Sequence, residues 1–356
     1  MIRFAWLRFR TQALVAVGVL AVLAVILAVS GIQLAHAYGA AVAACEQHQQ
    51  HDCATAPSAF PVNSDGTLFG LLSALVIAVP CVIGLFWGAP LAAREFETGT
   101  FRLAWTQGIT RTRWLAAKIA LLGVFSVAVS GLLSLMVTWW SSPIRTVKMD
   151  PLNPADFHSG GIVPVGYAAF AFTLGLTAGL LIRRTLPAMA VTLAIFTAVV
   201  LAFPMWVRPH LIPPAQTTVP LSSASIDGVE QFGDGRMQVL TGPPDLPGAW
   251  VLSIQLTTPA GRPASTIPDA QACEARTSSF QDCGAYVESL HLRQTVTYQP
   301  ASRYWPLQWY ETGIYLALAL ALAGLSLWWI RRDRSARLSI RPALTRQPAL
   351  ALRDST

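Results

Sequence analysis

The chain places one polar island between two long apolar segments: Ala92-Ala93-Arg94-Glu95-Phe96-Glu97-Thr98-Gly99-Thr100-Phe101-Arg102-Leu103-Ala104-Trp105-Thr106-Gln107. The island continues through Gly108 to Trp114. It is dense in charged and hydrogen-bonding side chains, whereas the segments on either side carry almost none. This pattern indicates a short polar loop that long apolar helices hold against one face of a membrane.

The composition of the whole chain agrees with a membrane protein. Of its 356 residues, 53% are hydrophobic and only 12% are charged, and the mean hydropathy is +0.48. A soluble domain carries about a quarter charged residues. The net charge of +7 does not predict a nucleic-acid partner, because the basic residues lie at the edges of apolar segments and form no single patch.

Six segments reach the length of about 20 apolar residues that a bilayer requires. Backbone groups in lipid must be paired internally, so we expect each segment to be a helix. Apart from Lys118 near the start of the third segment, none carries a charged side chain or a histidine. The segments are residues 13–34, 68–90, 116–139, 162–182, 186–207 and 312–330.

The distribution of charge predicts the orientation. With the N-terminus in the cytoplasm, the cytoplasmic segments contain 17 of the 25 basic residues and 4 of the 18 acidic residues. The positive-inside rule strongly favours this arrangement. Ala35-His36-Ala37 has the form of a signal-peptide cleavage site, but the preceding apolar run of about 22 residues is longer than usual for a signal peptide. We therefore expect an uncleaved anchor.

The predicted fold class is an all-α polytopic membrane protein with six transmembrane helices and both termini in the cytoplasm. A small extracytoplasmic α/β or β-containing domain is expected between helices five and six, because residues 249–257 alternate like a strand and residues 294–298 do so weakly. The predicted divisions are an N-terminal interfacial helix (1–12), helices one to five (13–207) with the polar loop (91–114), the extracytoplasmic domain (208–311), helix six (312–330) and a basic cytoplasmic tail (331–356).

Four cysteines lie on the predicted outer side, which is oxidising. They allow three pairings, of which Cys45–Cys53 and Cys273–Cys283 join the nearest residues and are preferred. An alternative use of the first loop is a metal site formed by Cys45, His48, His51 and Cys53. A disulfide and a thiolate site exclude each other, so we favour the disulfide.

The sequence contains no ATP-binding motif of its own. Lys118 and Lys148 are the only lysines, and neither belongs to the G-x-x-x-x-G-K-[ST] pattern of a P-loop. No span carries a paired-carboxylate or H-E-x-x-H pattern, and all six histidines fall on the predicted outer side. We therefore expect no enzymatic activity in this chain. Energy for any uphill transport is expected from another protein.

The polar loop has the features of a docking element. Gly99 is expected to end the second helix in a left-handed conformation, and Thr100 to cap a short amphipathic helix over residues 101–107. Thr110 is expected to cap the third helix. A helix that only anchors the loop at the membrane surface is the alternative.

The run Arg94-Glu95-x-Glu97-x-Gly99-Thr100-x-Arg102-Leu103, with Arg111-x-Arg113-Trp114 and Lys118, resembles the signature of ABC-2 type exporter permeases. Trp105-Thr106-Gln107 and the outer run from Tyr298 to Trp305 resemble one bacterial subgroup of these permeases. The resemblance covers most of the chain. The chain departs from the family pattern between helices five and six, where about 100 residues replace a shorter re-entrant hairpin.

The resemblance implies an outward-moving permease subunit in a bacterial plasma membrane. The loop would be a coupling helix seated in a separate P-loop ATPase, which would hold ATP and magnesium, so that this chain needs no cofactor. A homodimer or heterodimer of permeases and contact with membrane lipid are also implied. The alternatives are a membrane sensor or regulatory subunit and a metal-handling membrane protein. The coupling residues are Arg94, Glu95, Glu97, Gly99, Thr100, Arg102, Thr106, Gln107, Arg111 and Arg113.

Overall fold

The structure, a computed structural model, describes residues 2–47, 62–99, 110–148, 151–221, 226–231, 237–242, 246, 248–264 and 288–332. Its helices are α1 (Ile2–Gln47), α2 (Val62–Ile83), α3 (Ala89–Thr98), α4 (Arg111–Trp140), α5 (Ser142–Lys148), α6 (Pro154–Phe157), α7 (Val163–Ile182), α8 (Thr185–Ala202), α9 (Arg208–Leu211) and α10 (Tyr304–Arg332). A π-helical segment, Gly84–Gly88, joins α2 to α3, and a second, Phe203–Val207, joins α8 to α9.

Within these described ranges, six helical runs are long and apolar enough to cross a membrane, as predicted. We number them spans 1 to 6: Arg10–Gln47, Thr67–Thr98, Thr112–Trp140, Val163–Ile182, Thr185–Leu211 and Ala301–Arg332. The protein is therefore a multi-pass membrane protein that is mostly helical. Which terminus faces the cytoplasm stays a prediction.

Several helices extend beyond the predicted apolar segments. Helix α1 continues unbroken from Ile2 to Gln47. The described residues of the predicted interfacial helix 1–12 therefore belong to the same helix as span 1. Residues 36–47, expected in a loop, continue α1 because this stretch is rich in alanine, the strongest helix former. Span 5 continues to Leu211 and span 6 starts at Ala301, so both ends of the predicted domain 208–311 are helical.

Span 4 lies at the centre of the bundle. In its most apolar window 83% of the residues are buried, compared with 17–39% in the other spans. The glycines at this contact allow the backbone of span 2 to approach the backbone of span 4 directly, with no side chain between them. A Cβ atom at Gly84 would lie 2.7 Å from the Ala171 oxygen, and one at Gly88 would lie 2.6 Å from the Phe172 oxygen. Gly175 and Gly179 face this same contact from span 4, so two small-x-x-x-small pairs form the crossing.

Two faces of the molecule can be distinguished. The loop face contains the ends of spans 2 and 3 at Gly99 and Thr110 and the turn between α7 and α8. The end of span 6 lies there too, because Arg331 Nε donates to Thr112 Oγ1 at 3.4 Å. The sheet face is the opposite one, where spans 5 and 6 are joined by β structure.

The β structure consists of a three-stranded antiparallel sheet and a hairpin. The strands are β1 (Ala215–Pro220), β2 (Ile226–Gln231), β3 (Met237–Thr241), β4 (Trp250–Thr257) and β5 (Arg293–Gln299). The sheet has the order β1-β5-β4, and β2 pairs with β3. The two predicted strands are confirmed as β4 and β5. Strand β1 follows span 5 and β5 precedes span 6, so the two spans enter adjacent strands, with Ala215 opposite Tyr298.

Candidate functional site

The polar loop leaves the bundle through two capped helix ends. Helix α3 ends at Gly99, whose φ of 68° is left-handed, as predicted for a glycine C-cap. Helix α4 begins after Thr110, whose side chain accepts a hydrogen bond from the Arg113 backbone N–H at 3.4 Å. Both caps follow the sequence prediction. The proposed short helix over residues 101–107 lies outside the described residues.

Three consecutive side chains at the end of α3 contact other parts of the bundle. Glu95 Oε1 accepts from Lys118 Nζ in span 3 at 2.6 Å, and both side chains are largely buried. The same ammonium lies 4.0 Å from the centroid of the Trp114 ring. Phe96 lies under the guanidinium of Arg183, 5.3 Å away, in the turn between α7 and α8. These contacts hold α3 against two neighbouring spans.

Glu97 caps the first turn of span 5. Its Oε1 accepts from the Thr185 backbone N–H at 2.8 Å, and its Oε2 accepts from the Thr185 hydroxyl at 2.6 Å. Thr185 is the first residue of α8, so the carboxylate lies at the positive end of that helix. The turn before it is tight, because Arg183 adopts φ 58° and Arg184 is extended.

The structure thus gathers part of the predicted coupling set. Glu95 and Glu97 bind within the bundle, and Gly99 forms the corner. Arg94 and Arg113 are exposed, and Arg111 is the first residue of α4. Thr100, Arg102, Thr106 and Gln107 lie outside the described residues, so their docking role stays a prediction. Lys118 has a defined partner in Glu95, which the sequence alone did not identify.

A second polar cluster, on the sheet face, was missed from the sequence. Arg208 Nε donates to Glu311 Oε2 at 2.9 Å and Nη2 donates to Oε1 at 3.2 Å, which makes a two-point ion pair. Both side chains are fully buried. The Arg208 guanidinium carbon lies 4.1 Å from the centroid of the Phe157 ring. Each residue lies one position outside the apolar segment assigned to its span, which is why the pair was overlooked.

His158 and Tyr167 complete this cluster, which we call the Arg208 cluster. The Tyr167 hydroxyl donates its hydrogen to Glu311 Oε1 at 2.7 Å. The Tyr167 oxygen therefore accepts a hydrogen bond from the Nδ1–H group of His158. Nη2 of Arg208 lies within 3.3 Å of His158 Nε2 and can donate to it. Burial, and secondly the Arg208 charge, lower the pKa of His158 to about 3. The imidazole is therefore neutral at pH 7, and its 3.9 Å approach to Glu311 is not an ion pair.

Gln308 joins span 6 to the start of span 4. Its Oε1 accepts from the backbone N–H groups of Ile162 and Val163 at 3.0 and 3.1 Å. Its Nε2 donates to the carbonyl oxygens of Phe157 and Gly160 at 3.2 and 3.3 Å. The amide is fully buried and makes four bonds, so the connection before span 4 is fixed to span 6.

The predicted cysteine and metal sites fall mostly outside the described ranges. Cys45 lies near the end of α1, whereas His48, His51, Cys53, Cys273 and Cys283 are not described. Both disulfide pairings and the metal alternative therefore stay predictions. In the parts of the chain that are described, no group of three or more metal-ligating side chains occurs, and Cys81 is a free thiol.

An apolar groove of about 520 Å³ lies between spans 1, 2 and 3. Val19, Leu23, Val79 and Leu133 are among its lining side chains, and Thr11 and Gln12 are at one end. A cavity of this size is in the range that holds a drug-sized molecule.

Comparison with known proteins identifies the family to which the helical bundle belongs. A search of the curated proteins and a search of the solved structures each gave no match. The family described as "ABC-2 membrane transporter related" matches residues 17–208, which is more than half of the chain. The match covers the polar loop, spans 2 to 4 and most of spans 1 and 5. On this match the chain belongs to the ABC-2 membrane transporter related family.

Proposed function

We propose that this chain is the permease subunit of an ATP-driven exporter and that a separate P-loop ATPase docks on the polar loop 91–114. Family membership and the six spans support the permease assignment. The observation that carries the docking proposal is the construction of the loop's stem. Glu95, Phe96 and Glu97 connect the end of α3 to span 3, to the turn before span 5 and to span 5 itself.

This construction suits a site that receives force. A load applied to a loop with a freely moving stem would bend the loop and leave the spans where they are. Here the stem is bonded to two further spans, so displacement of the loop displaces helices. The exposed arginines Arg94 and Arg113 at the two ends of the loop are available to an acidic surface of the partner. Thr100, Arg102, Thr106 and Gln107 belong to the same proposed docking surface.

The remaining parts of the proposal concern the assembly. ATP and magnesium bind in the partner, since this chain has no P-loop lysine. A second permease copy, identical or related, completes the transport path. The protein resides in a bacterial plasma membrane with both termini in the cytoplasm, as the basic loop face favours. The apolar groove between spans 1, 2 and 3 supports an amphiphilic or drug-like substrate. Outward movement of that substrate follows from the proposed exporter role.

The docking proposal is tested by pull-down of a co-expressed P-loop ATPase with the tagged chain. The variant Arg94→Glu with Arg113→Glu reverses two exposed charges on the loop face, and we expect it to retain less than a tenth of the bound ATPase. The control, Arg262→Glu with Arg293→Glu, makes the same charge change at exposed positions on the sheet face and should bind normally.

Equal binding by the two variants would refute docking through these arginines. Capture of a sensor kinase by the native chain, with no ATPase bound, would contradict the exporter proposal and favour the sensory alternative.

A further inference from the structure

Span 5 is bonded to other spans at both of its ends. The helix runs through 27 residues, Thr185–Leu211, and is about 40 Å long at 1.5 Å per residue. At the loop face its first residue, Thr185, is held by Glu97 of span 2. At the sheet face Arg208 is held by Glu311 of span 6. Span 6 is also linked at both faces, but its contact at the loop face, from Arg331 Nε to Thr112 Oγ1, is longer at 3.4 Å.

The link at the loop face uses the whole carboxylate. Each oxygen of Glu97 accepts one hydrogen bond from Thr185, one from the backbone and one from the hydroxyl. The contact therefore fixes both the position and the direction of the helix start relative to α3. A carboxylate used in this way positions the two helices relative to each other.

The link at the sheet face continues into the β structure. Gln299, the last residue of β5, donates through Nε2 to the carbonyl oxygen of Ile212 at 2.7 Å. Arg303 Nη1 also donates to Gln299 Oε1 at 2.7 Å. The end of span 5 is thus bonded to β5 as well as to span 6, and β1 begins only a few residues later.

Between its two links, span 5 packs through a narrow stripe. Its buried side chains in α8 are Ala188, Thr192, Phe196 and Val200, which follow one another at intervals of four residues. The rest of the helix surface is largely exposed to the membrane. A helix with a small packed stripe and two strong end contacts can shift as one body along that stripe.

We propose that span 5 carries movement from the polar loop to the sheet, with Glu97–Thr185 as the receiving link and Arg208–Glu311 as the delivering link. The inference rests on the proposed function, because the partner ATPase supplies the movement. It assigns Glu97 to transmission, whereas Arg94 and Arg113 serve docking. Glu97, Thr185, Arg208 and Glu311 are positioning residues in this mechanism.

The test measures movement at two points by pulsed electron paramagnetic resonance between spin labels. In a Cys81→Ser background, one label pair joins exposed positions of spans 3 and 5 (Val124→Cys with Met205→Cys). A second pair joins span 3 to exposed β4 (Val124→Cys with Gln255→Cys). Distances are compared between the nucleotide-free complex with the ATPase and the same complex trapped with ATP.

We expect the native chain to show an ATP-dependent distance shift in both pairs. Thr185→Val removes the hydroxyl bond at nearly constant shape and should reduce both shifts by more than half, while ATPase pull-down stays at the native level. Thr185→Ser keeps both donors and should restore both shifts. The double variant Arg208→Met with Glu311→Leu removes the second link without leaving a buried charge. It should keep the span 5 shift and reduce the sheet shift, because Gln299 and the start of β1 still connect span 5 to the sheet.

Two outcomes separate this inference from the proposed function. Native shifts in Thr185→Val, with normal ATPase binding, would overturn the transmission role and leave the exporter proposal intact. Failure of the native chain to bind an ATPase would overturn the proposed function, and the inference with it.

Discussion

The glycine crossing between spans 2 and 4 gives the sharpest test of the bundle. A Cβ atom added at Gly175 would overlap the carbonyl oxygen of Gly84 and lie 2.8 Å from the Ala89 backbone nitrogen. Both obstacles are backbone atoms, so no side chain can rotate away to make room. Gly175→Ala must therefore push the π-helical segment of span 2 away from span 4.

The expected loss follows from two opposing contributions. Overpacking at a tight contact costs about 1–3 kcal/mol. The change from glycine to alanine within a helix recovers about 1 kcal/mol through backbone entropy. A matched control separates the two, because Gly324 in α10 has nothing within 4 Å of its added Cβ. Gly324→Ala therefore shows only the entropic gain, and the two variants should differ by about 1–3 kcal/mol.

The measurement is reversible unfolding in mixed micelles, followed by circular dichroism, with both variants purified in the same detergent. Gly175→Ala should be less stable than the native chain or equal to it, and Gly324→Ala should be equal or more stable. Equal free energies of unfolding for the two variants would refute the backbone contact between spans 2 and 4. A larger loss of stability in Gly175→Val than in Gly175→Ala would support the same contact, because the larger side chain needs more room.

Three further predictions concern the sheet face, and all can be measured by the same unfolding assay. Glu311→Gln leaves the buried Arg208 charge without its partner and should cost about 3–5 kcal/mol, whereas Arg208→Met with Glu311→Leu should cost clearly less; equal losses would contradict a charge penalty. His158 has a folded pKa of about 3 and an unfolded pKa near 6.5, so its contribution to stability is complete above pH 6.5 and falls as the pH is lowered. Between pH 7.5 and 5.5 the native chain should lose about 1.4 kcal/mol more than His158→Gln, and parallel pH profiles would refute this assignment. Gln308→Met leaves four buried backbone groups unpaired and should lower the free energy of unfolding by about 2–4 kcal/mol. An unchanged unfolding midpoint would contradict this prediction.

The features predicted well from the sequence are those that depend on local pattern. Runs of about 20 apolar residues predicted six spans, because the membrane imposes that length whatever the helices pack against. Gly99 and Thr110 were identified as caps because each satisfies backbone groups within its own helix end. Strands β4 and β5 were visible as alternating side chains.

The features that were missed depend on which helices become neighbours. Gly84 and Gly88 form a small-x-x-x-small pair, as do Gly175 and Gly179. Such pairs occur in many spans, and the sequence alone does not show which two spans pack against each other through them. The Arg208 cluster was not predicted from the sequence, for a different reason. Spans were ended where apolar residues stop, although helices with charged ends continue when those charges are paired inside the protein.

Glu97 shows where sequence reasoning about a docking loop reaches its limit. An acidic residue at the end of a helix in a polar loop suits a partner surface, and it equally suits the N-terminus of a neighbouring helix. Both uses produce the same local pattern, and only the distance between Glu97 and Thr185 separates them. Since both carboxylate oxygens bind Thr185, we assign contact with the partner to the exposed arginines Arg94 and Arg113. A loop that offers its arginines to a partner and uses its carboxylates to bind neighbouring spans can hold the partner without loosening its connection to those spans.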